Sequence, residues 1–215
     1  MRFLITAGGT REYIDPVRFI SNASSGKTGF ALAEAALKKG HKVTVISAAN
    51  LPAPADAEIF YVNTANEMFA AVKKNFGKCD CLIMAAAVAD FTLASPSKTK
   101  IKKTDKILTI ELKPTADILK WAGAHKKKKQ KVVGFALEDK NIKTSAEKKL
   151  RNKNLDMIIA NTPDVISADK TQVYVKTVNT DWLEIAEAVA FGDGQGSPAV
   201  PVRFVPDPDV GAFLR

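Results

Sequence analysis

The sequence predicts an α/β protein with a Rossmann-like, doubly wound, mainly parallel sheet and a β-hairpin flap. Short, near-continuous apolar segments alternate with amphipathic segments from residue 3 to residue 160, as expected for a parallel sheet covered on both faces. Between the first strand and the first helix lies a long polar, glycine-containing loop, residues 8–25. Connections longer than about 12–15 residues in a compact domain are usually binding loops or disordered. A lysine-rich segment, residues 92–113, breaks the alternation and predicts the flap.

The predicted elements follow a βαβ order. Strands are predicted at 3–7, 42–47, 79–85, 131–136, 157–160 and 173–177, and helices at 26–39, 64–75, 115–124, 142–153 and 180–191. In the first helix, Phe30, Ala33 and Leu37 share one face. Thr64 and Glu67 form a capping box at the start of the second. Within the flap, residues 107–113 alternate like an edge strand.

Length and composition predict one domain, residues 1–191, followed by a Gly/Pro-rich tail, residues 192–215. The 46% hydrophobic content supports a sizeable core. No apolar run reaches the ~18 residues of a membrane span, and no signal peptide is recognisable, so we expect a cytoplasmic protein. Cys79 and Cys81 lie two apart in a predicted strand, where we expect reduced structural thiols rather than a disulfide.

The formal net charge of +9 is compatible with nucleic acid, an anionic membrane or phosphorylated small molecules. Aromatic residues make up only 7% of the chain, and no basic segment is interleaved with them. Proteins that bind single-stranded nucleic acid stack the bases on such aromatic side chains. The charge therefore favours small phosphorylated ligands, and we expect neither nucleic acid nor membrane as a partner.

Two segments have the character of binding loops. In the first, glycines at positions 8, 9, 26 and 29 let backbone N–H groups approach an anion at a helix N-terminus. It does not match the G-x-G-x-x-G fingerprint, because the glycines come as an adjacent pair and then as G-x-x-G. It also fails the P-loop pattern, which needs glycine at position 21, where this chain has serine. The second, residues 84–91, follows a predicted strand and consists of small or apolar residues around one charge, Asp90. Ligands of open parallel sheets bind beyond the carboxyl ends of such strands.

These segments and three further motifs resemble the phosphopantothenate–cysteine ligase (phosphopantothenoylcysteine synthetase) family of the coenzyme A pathway. The resemblance covers residues 1 to 163. It rests on I-T-A-G-G-T-R-E at 5–12 with D-P-V-R-F-I-S-N-A-S-S-G-K at 15–27, A-V-A-D at 87–90, K-I-K-K at 100–103, T-A-D-I-L at 115–119 and V-G-F-A at 133–136. The family usually has proline where this chain has Ala116. Lys149 and Lys153 match two further lysines of the family.

The resemblance implies a role for each matched residue. Lys100 and Asn22 are expected to be catalytic: Lys100 supports acyl-nucleotide formation, and Asn22 orients the intermediate and donates to its carbonyl. Arg18 is expected to hold the substrate phosphate, and Asn22 and Ala87 to contact the substrate. The residues expected at the nucleotide are Gly8, Gly9, Thr10, Ser24, Gly26, Asp90, Lys100, Ala116, Asp117, Ile118, Leu119, Phe135, Lys149 and Lys153. No metal ligand is assigned.

The implied reaction joins 4'-phosphopantothenate to L-cysteine through an acyl-cytidylate and releases pyrophosphate. The A-V-A-D and K-x-K-K motifs favour the bacterial CTP-dependent type over an ATP-dependent one, with Mg²⁺. The family also implies a homodimer. Many members are fused to a flavin-dependent phosphopantothenoylcysteine decarboxylase, for which this chain has no room, so we expect either a separate decarboxylase as partner or that this chain is an excised domain.

Two other functions stay open at this point. A nicotinamide-dependent reductase on the same fold would need a Tyr-x-x-x-Lys pair or similar hydride machinery, and Tyr13, Tyr61 and Tyr174 provide none. A non-catalytic nucleotide-binding module would tolerate alanine at Asn22 and Lys100, whereas a ligase would lose turnover at both.

Overall fold

A computed structural model describes residues 1–52, 54–162 and 170–189 of the chain. The strands are β1 (Arg2–Ala7), β2 (Arg11–Tyr13), β3 (Phe19–Ser21), β4 (Lys42–Ser47), β5 (Glu58–Tyr61), β6 (Cys81–Met84), β7 (Phe91–Leu93), β8 (Leu112–Pro114), β9 (Lys131–Leu137), β10 (Met157–Asn161), β11 (Lys170–Thr177) and β12 (Leu183–Val189). The helices are α1 (Lys27–Lys38), α2 (Ala65–Phe76), α3 (Ile118–His125) and α4 (Ile142–Asn152). None of the helices in these ranges is long and apolar enough to cross a membrane.

One eight-stranded sheet forms the centre of the fold, in the order β12-β11-β10-β9-β6-β1-β4-β5. The strands from β10 to β5 in this order pair in parallel, and β11 and β12 add an antiparallel hairpin at one edge. The predicted mainly parallel α/β sheet is confirmed.

The helices cover the two faces of the sheet unequally. On one face, Phe30 of α1 packs in a cluster with Ile5 and Val45. The other face carries α2, α3 and α4, whose buried side chains join Leu4 and Leu82 in a second cluster. The chain therefore leaves neighbouring strands β1 and β6 toward opposite faces, which opens a crevice at their carboxyl ends. Such a topological switch point is the usual ligand position in this class of fold.

The start of α2 shows how local sequence fixes an element beside this crevice. Thr64 accepts the backbone N–H of Glu67 at 3.1 Å, and the Glu67 carboxylate accepts the N–H of Asn63 at 2.7 Å. The Thr64 half of the predicted capping box is formed, whereas Glu67 accepts the N–H of the residue before the N-cap instead of that of Thr64 itself. The buried carboxylate of Glu12 accepts the Ala65 N–H at 2.8 Å, which ties the loop after β1 to the same helix end.

The helix predicted at residues 180–191 is wrong, because residues 183–189 form strand β12, antiparallel to β11. Alanine and glutamate favour helix in isolation. Here Leu183 and Ile185 turn toward the apolar cluster while Glu184 is exposed, which is the alternation of a strand. Pairing with β11 outweighs the local preference. Strands β2, β3 and β5 were not predicted, and the predicted tail at 192–215 lies outside the described residues.

The flap is a hairpin with short strands. Its paired strands are β7 and β8, and residues 94–111 between them contain no strand. The edge strand predicted for 107–113 is thus confirmed only at its last two residues. The K-I-K-K motif at 100–103 is not part of any strand.

Both cysteines are buried, unpaired thiols, as predicted. Burial raises the pKa of Cys79 and of Cys81 above the ordinary value for a thiol. A thiol with a raised pKa is a poor nucleophile.

Candidate active site

The loops that follow β1 and β6 run side by side across the switch point. Gly9 and Ala87 form a parallel bridge, and the Ala87 N–H donates to the Gly8 carbonyl at 2.9 Å. Thr10 donates its N–H to the Ala87 carbonyl at 3.3 Å, and its buried hydroxyl accepts the Ala89 N–H at 2.9 Å. Residues 8–10 and 87–89, predicted from two distant motifs, therefore form one surface at the carboxyl edge of the sheet.

Two glycines allow this loop to fold against Ala49. Gly8 and Gly26 have φ angles of 85° and 84°, and a Cβ on either would lie 2.5–2.7 Å from an atom of Ala49. Gly26 is also the N-cap residue of α1 and has no side chain to cap it, and no carboxylate lies in the first turn. The Ser25 hydroxyl accepts the Lys27 N–H at a long 3.4 Å. The first N–H groups of a helix lack partners within the helix and attract anions. The start of α1 therefore has the features of the predicted phosphate site.

Asn22 lies against the second loop. Its side-chain amide donates to the carbonyls of Ala87 and Val88 at 3.3 and 3.2 Å, and its backbone carbonyl accepts the Ser24 N–H at 2.8 Å. A side-chain amide has two N–H donors and one carbonyl acceptor. Because both donors are used, the Asn22 side-chain oxygen is the group left to meet a ligand. Donation to the carbonyl of an intermediate, as predicted, would require exchanging one of these long bonds.

A second group of predicted residues meets around α3 and α4. Asp117, the N-cap of α3, accepts the Lys120 N–H at 2.9 Å and forms a 2.8 Å ion pair with Lys153. The Lys149 ammonium donates to the Phe135 carbonyl at 2.7 Å. Four residues that lie on three separate elements are thus brought together.

The electrostatics of this second group favour an anion. Burial lowers the pKa of Lys149, and the nearby Lys153 lowers it further, while the carboxylates of Glu138, Asp117 and Asp90 act in the opposite direction. Burial acts to raise the pKa of Asp117, but the bonds from Lys153 and the Lys120 N–H outweigh it, so that this pKa is lowered. A partly desolvated ammonium gains when an opposite charge binds beside it.

Asp90 and the T-A-D-I-L motif connect the two groups. Thr115 donates its N–H to the Asp90 carbonyl at 2.9 Å and its hydroxyl to the Ala89 carbonyl at 2.6 Å. The Asp90 side chain is exposed, as is Ala116. In contrast, Ile118 and Leu119 are buried in the core. Their predicted contribution to nucleotide binding can come only from the backbone.

The contacts of the Arg18 guanidinium differ from the predicted one with a substrate phosphate. Its guanidinium donates to Asp15 through Nε at 3.0 Å and Nη2 at 2.5 Å, and to the Ile101 carbonyl through Nη2 at 2.6 Å. The predicted phosphate contact therefore has only the Nη1 group available. Lys100, next to Ile101, is exposed and makes no ion pair within the described ranges.

Sequence reasoning missed Asp15, although it is quoted in the loop motif. The carboxylate is buried, and the Arg18 guanidinium holds its pKa well below the usual range, helped by backbone N–H groups. The available signal was an aspartate three residues before an arginine in a loop. That spacing lets the guanidinium reach back to the carboxylate with two N–H donors, a planar arrangement that suits arginine.

Comparison with known proteins identifies the family. The profile of the DNA/pantothenate metabolism flavoprotein C-terminal domain matches residues 1–188. The coenzyme A biosynthesis bifunctional protein CoaBC of Bacillus subtilis (strain 168) is 51% identical over 160 residues, which is 74% of this chain and 39% of that protein. A cysteine/cysteine sulfinic acid decarboxylase from an unknown prokaryotic organism is 49% identical over 162 residues, 74% of this chain and 45% of that protein.

The chain spans less than half the length of these two curated relatives. Among solved structures, the C-terminal domain of a CoaBC protein superposes with a TM-score of 0.71 at 38% identity, covering 86% of this chain and 85% of that one. The profile and this superposition both concern a C-terminal domain, and both cover most of this chain. The chain belongs to the DNA/pantothenate metabolism flavoprotein C-terminal domain family.

Proposed function

We propose that this chain is a phosphopantothenate–cysteine ligase of coenzyme A biosynthesis. The observation that carries the proposal is that residues from five separate motifs converge at the carboxyl edge of one parallel sheet. One group, Gly8 to Thr10 with Asn22 and Ala87, suits a substrate and a phosphate, and the other, around Lys149, suits a nucleotide. Membership of a family found in coenzyme A biosynthesis proteins supports the same assignment.

The proposed reaction has two steps because a carboxylate and an amine do not condense directly in water. The carboxylate oxygen of 4'-phosphopantothenate attacks the α-phosphorus of the nucleotide, and the bond to pyrophosphate breaks. The cysteine nitrogen then attacks the activated carbonyl carbon, loses a proton, and expels the nucleoside monophosphate. Both steps need little proton transfer from the protein, so catalysis rests on positioning and on stabilising charge.

In the first step, the start of α1, which has no carboxylate in its first turn, and the ammonium groups of Lys149 and Lys153 bind the triphosphate. Asp117 orients Lys153 by the 2.8 Å ion pair. Lys100 neutralises the charge that develops as pyrophosphate leaves, a role for which its exposed side chain is free to move. Preorganised donors of this kind often make the largest contribution to catalysis.

In the second step, Asn22 orients the intermediate from its position on Ala87 and Val88. Small side chains along residues 85–89 let the substrate lie against the backbone. The Nη1 group of Arg18 is directed to the phosphate of the substrate, since Nε and Nη2 are engaged by Asp15 and Ile101.

The nucleotide is CTP rather than ATP on the strength of the A-V-A-D and K-x-K-K motifs, and Mg²⁺ accompanies it. Mg²⁺ is typically bound by one or two carboxylates together with substrate phosphates. The exposed carboxylate of Asp90, whose charge acts on Lys149, fits that description. The ion would screen the negative charge of the triphosphate.

We also propose a cytoplasmic homodimer that hands its product to a flavin-dependent phosphopantothenoylcysteine decarboxylase. The apolar side chains of Phe91, Ile110 and Leu112 are exposed on the flap, which supports contact with a second copy. Analytical ultracentrifugation of the purified chain would test this: a dimer is expected, and a monomer at all concentrations would contradict it.

The test of the function is pyrophosphate release. The chain is mixed with 4'-phosphopantothenate, Mg²⁺ and either CTP or ATP, with and without L-cysteine, and the amide product is identified by mass spectrometry. We expect release with CTP, and the amide only when cysteine is present. Asn22→Ala and Lys100→Ala should both abolish turnover. Failure to release pyrophosphate with either nucleotide would overturn the proposal in favour of a binding module, and oxidation of a nicotinamide cofactor would favour a reductase.

A further inference from the structure

We propose that Asp15 and Arg18 form a clamp that positions the lysine segment, residues 98–103, at the active site. This Asp15–Arg18 clamp deepens the proposed function, because the segment carries Lys100. The two residues act through Ile101 and are therefore positioning residues for Lys100, whatever direct contact Arg18 makes with substrate.

Asp15 is the fixed centre of the clamp. It is only 1% exposed, although it lies in a surface loop. One carboxylate oxygen accepts the N–H groups of Val17 and Arg18 at 2.8 and 2.9 Å. The other accepts the Ile101 N–H at 3.1 Å and the Arg18 guanidinium. Since an ionised carboxylate has about four acceptor sites, Asp15 is fully engaged.

Arg18 closes the clamp from the other side of Ile101. Its Nη2 group donates to the Ile101 carbonyl at 2.6 Å while Nε and Nη2 hold Asp15. The N–H and the C=O of one residue are thus both bound to partners more than eighty positions earlier in the chain. The Ser97 N–H adds a bond to the Ile14 carbonyl at 2.9 Å. The backbone on both sides of Lys100 is therefore attached to the loop after β1.

A purely local role for the pair does not account for this geometry. An exposed ion pair three residues apart contributes little to stability and has no need of a second chain segment. Asp15 is instead buried, and Ile101 supplies one of its N–H donors. If the lysine segment moved away, the buried carboxylate of Asp15 would lose one of its N–H donors, and Arg18 would lose the Ile101 carbonyl. The segment and the loop consequently hold each other in place.

The clamp requires arginine rather than any cation. Guanidinium donors lie in one rigid plane, whereas a lysine ammonium is a single point of charge. In that plane Nε and Nη2 donate to Asp15 and Nη2 also donates to Ile101, which leaves the Nη1 donors for a ligand. A substrate phosphate bound at Nη1 would be fixed in orientation relative to the backbone of Lys100.

The experiment compares Asp15→Asn and Arg18→Lys with the wild type and with Asp80→Asn as a matched control. Asp80 also accepts an arginine guanidinium, at 2.6 Å, and a backbone N–H, at 2.8 Å, both from Arg2 at the amino end of the sheet. The amide of an asparagine at position 15 would place N–H donors against the N–H donors that now bind Asp15. A lysine at position 18 keeps the charge but has no second nitrogen to replace the Nε bond to Asp15 and no rigid plane to fix both acceptors.

Two quantities are measured in each folded variant. Hydrogen–deuterium exchange of the peptide containing Ile101 reports the clamp without any need for activity. We expect its exchange to rise about tenfold or more in both variants, as for a lost charge-assisted hydrogen bond, and to stay unchanged in Asp80→Asn. In the pyrophosphate assay, we expect kcat of Asp15→Asn to fall about tenfold or more with the KM for CTP little changed, because the nucleotide contacts of Lys149 and Lys153 remain.

Wild-type exchange at Ile101 in both folded variants would overturn the clamp, whatever their activity. Wild-type exchange at Ile101 together with wild-type kcat in Arg18→Lys would also overturn it, because a positive charge alone would then suffice. If Asp15→Asn does not fold, the exchange measurement on Arg18→Lys decides. The Arg18 side chain is 44% exposed, so this substitution does not disturb the core. If the wild type shows no turnover, the ligase proposal fails while the exchange measurement still tests the clamp.

Discussion

Replacing Lys149 with methionine should weaken nucleotide binding strongly while leaving the fold about as stable as before. Methionine keeps an apolar stem of similar length but removes the charge. In the free protein, the Lys149 ammonium donates to the Phe135 carbonyl at 2.7 Å, and a hydrogen bond from a charged group contributes about 1.5–3 kcal/mol. Opposing it are the burial of the charge and the repulsion from Lys153, which together lower the pKa of Lys149.

The loss of the Phe135 bond and the relief of the burial and repulsion act in opposite directions on stability. We therefore expect the free energy of unfolding to fall by less than the roughly 1.5–3 kcal/mol that such a bond contributes alone. Binding of a triphosphate has no such opposing effect, because the substitution only removes an attractive contact from the complex. The loss of one charge-assisted bond of about 1.5–3 kcal/mol corresponds to a rise of about 10- to 150-fold in the Kd for CTP.

Isothermal titration calorimetry with CTP and urea unfolding measure the two quantities on the same preparations. Arg151→Met is the matched control, because Arg151 lies on the same helix and its ion pair with Glu147 is exposed to solvent. The control should bind CTP like the wild type. If Lys149→Met bound CTP with wild-type affinity, or lost several kcal/mol of stability, Lys149 would not be a partly desolvated ammonium whose role is to bind the nucleotide phosphates.

Two further predictions concern the scaffold. Gly123→Ala should destabilise the protein in urea unfolding by about 1–3 kcal/mol or more, the usual cost of overpacking, because its Cβ would lie 1.8 Å from the Lys153 carbonyl oxygen. Gly77→Ala, with no atom within 4 Å of its Cβ, should stay within about 0.5 kcal/mol of wild type. Equal effects of the two substitutions would contradict this reasoning. The pKa of Asp80 is lowered by Arg2, so its stabilisation is present above the ordinary aspartate pKa of about 3.9 and is lost as the pH falls through the lowered value. The difference in the free energy of unfolding between wild type and Asp80→Asn should therefore become smaller from pH 7 to pH 3. A difference that stays constant or grows would contradict the lowered pKa of Asp80.

Most of the sheet could be predicted because its strands carry strong local signals. β1, β4 and β9 are near-continuous apolar segments, and α2 begins at a threonine N-cap followed three residues later by a glutamate. The failures lie where tertiary contacts decide. The segment from Leu183 to Val189 has helix-favouring residues but is held as a strand by β11, and β2 and β3 are too short, at three residues each, for a visible alternation.

The missed strand β5 did carry a signal, since Ile59, Phe60 and Tyr61 favour strands. At the site, the motifs placed Asp117, Phe135, Lys149 and Lys153 in one group, and the structure brings them together. The partners of Arg18 could not be predicted in the same way. Its contact with Ile101 joins residues 83 positions apart in the chain, and no local pattern encodes such a pairing.

The central claim is that main-chain N–H groups and lysines converge at one edge of the sheet to bind a triphosphate. A crystal structure of the chain with CTP and Mg²⁺ tests this claim most directly. The account predicts phosphates at the start of α1 and within hydrogen-bond distance of Lys149 and Lys153, with the base near Phe135. A nucleotide bound elsewhere, with both ammonium groups still on Phe135 and Asp117, would contradict it.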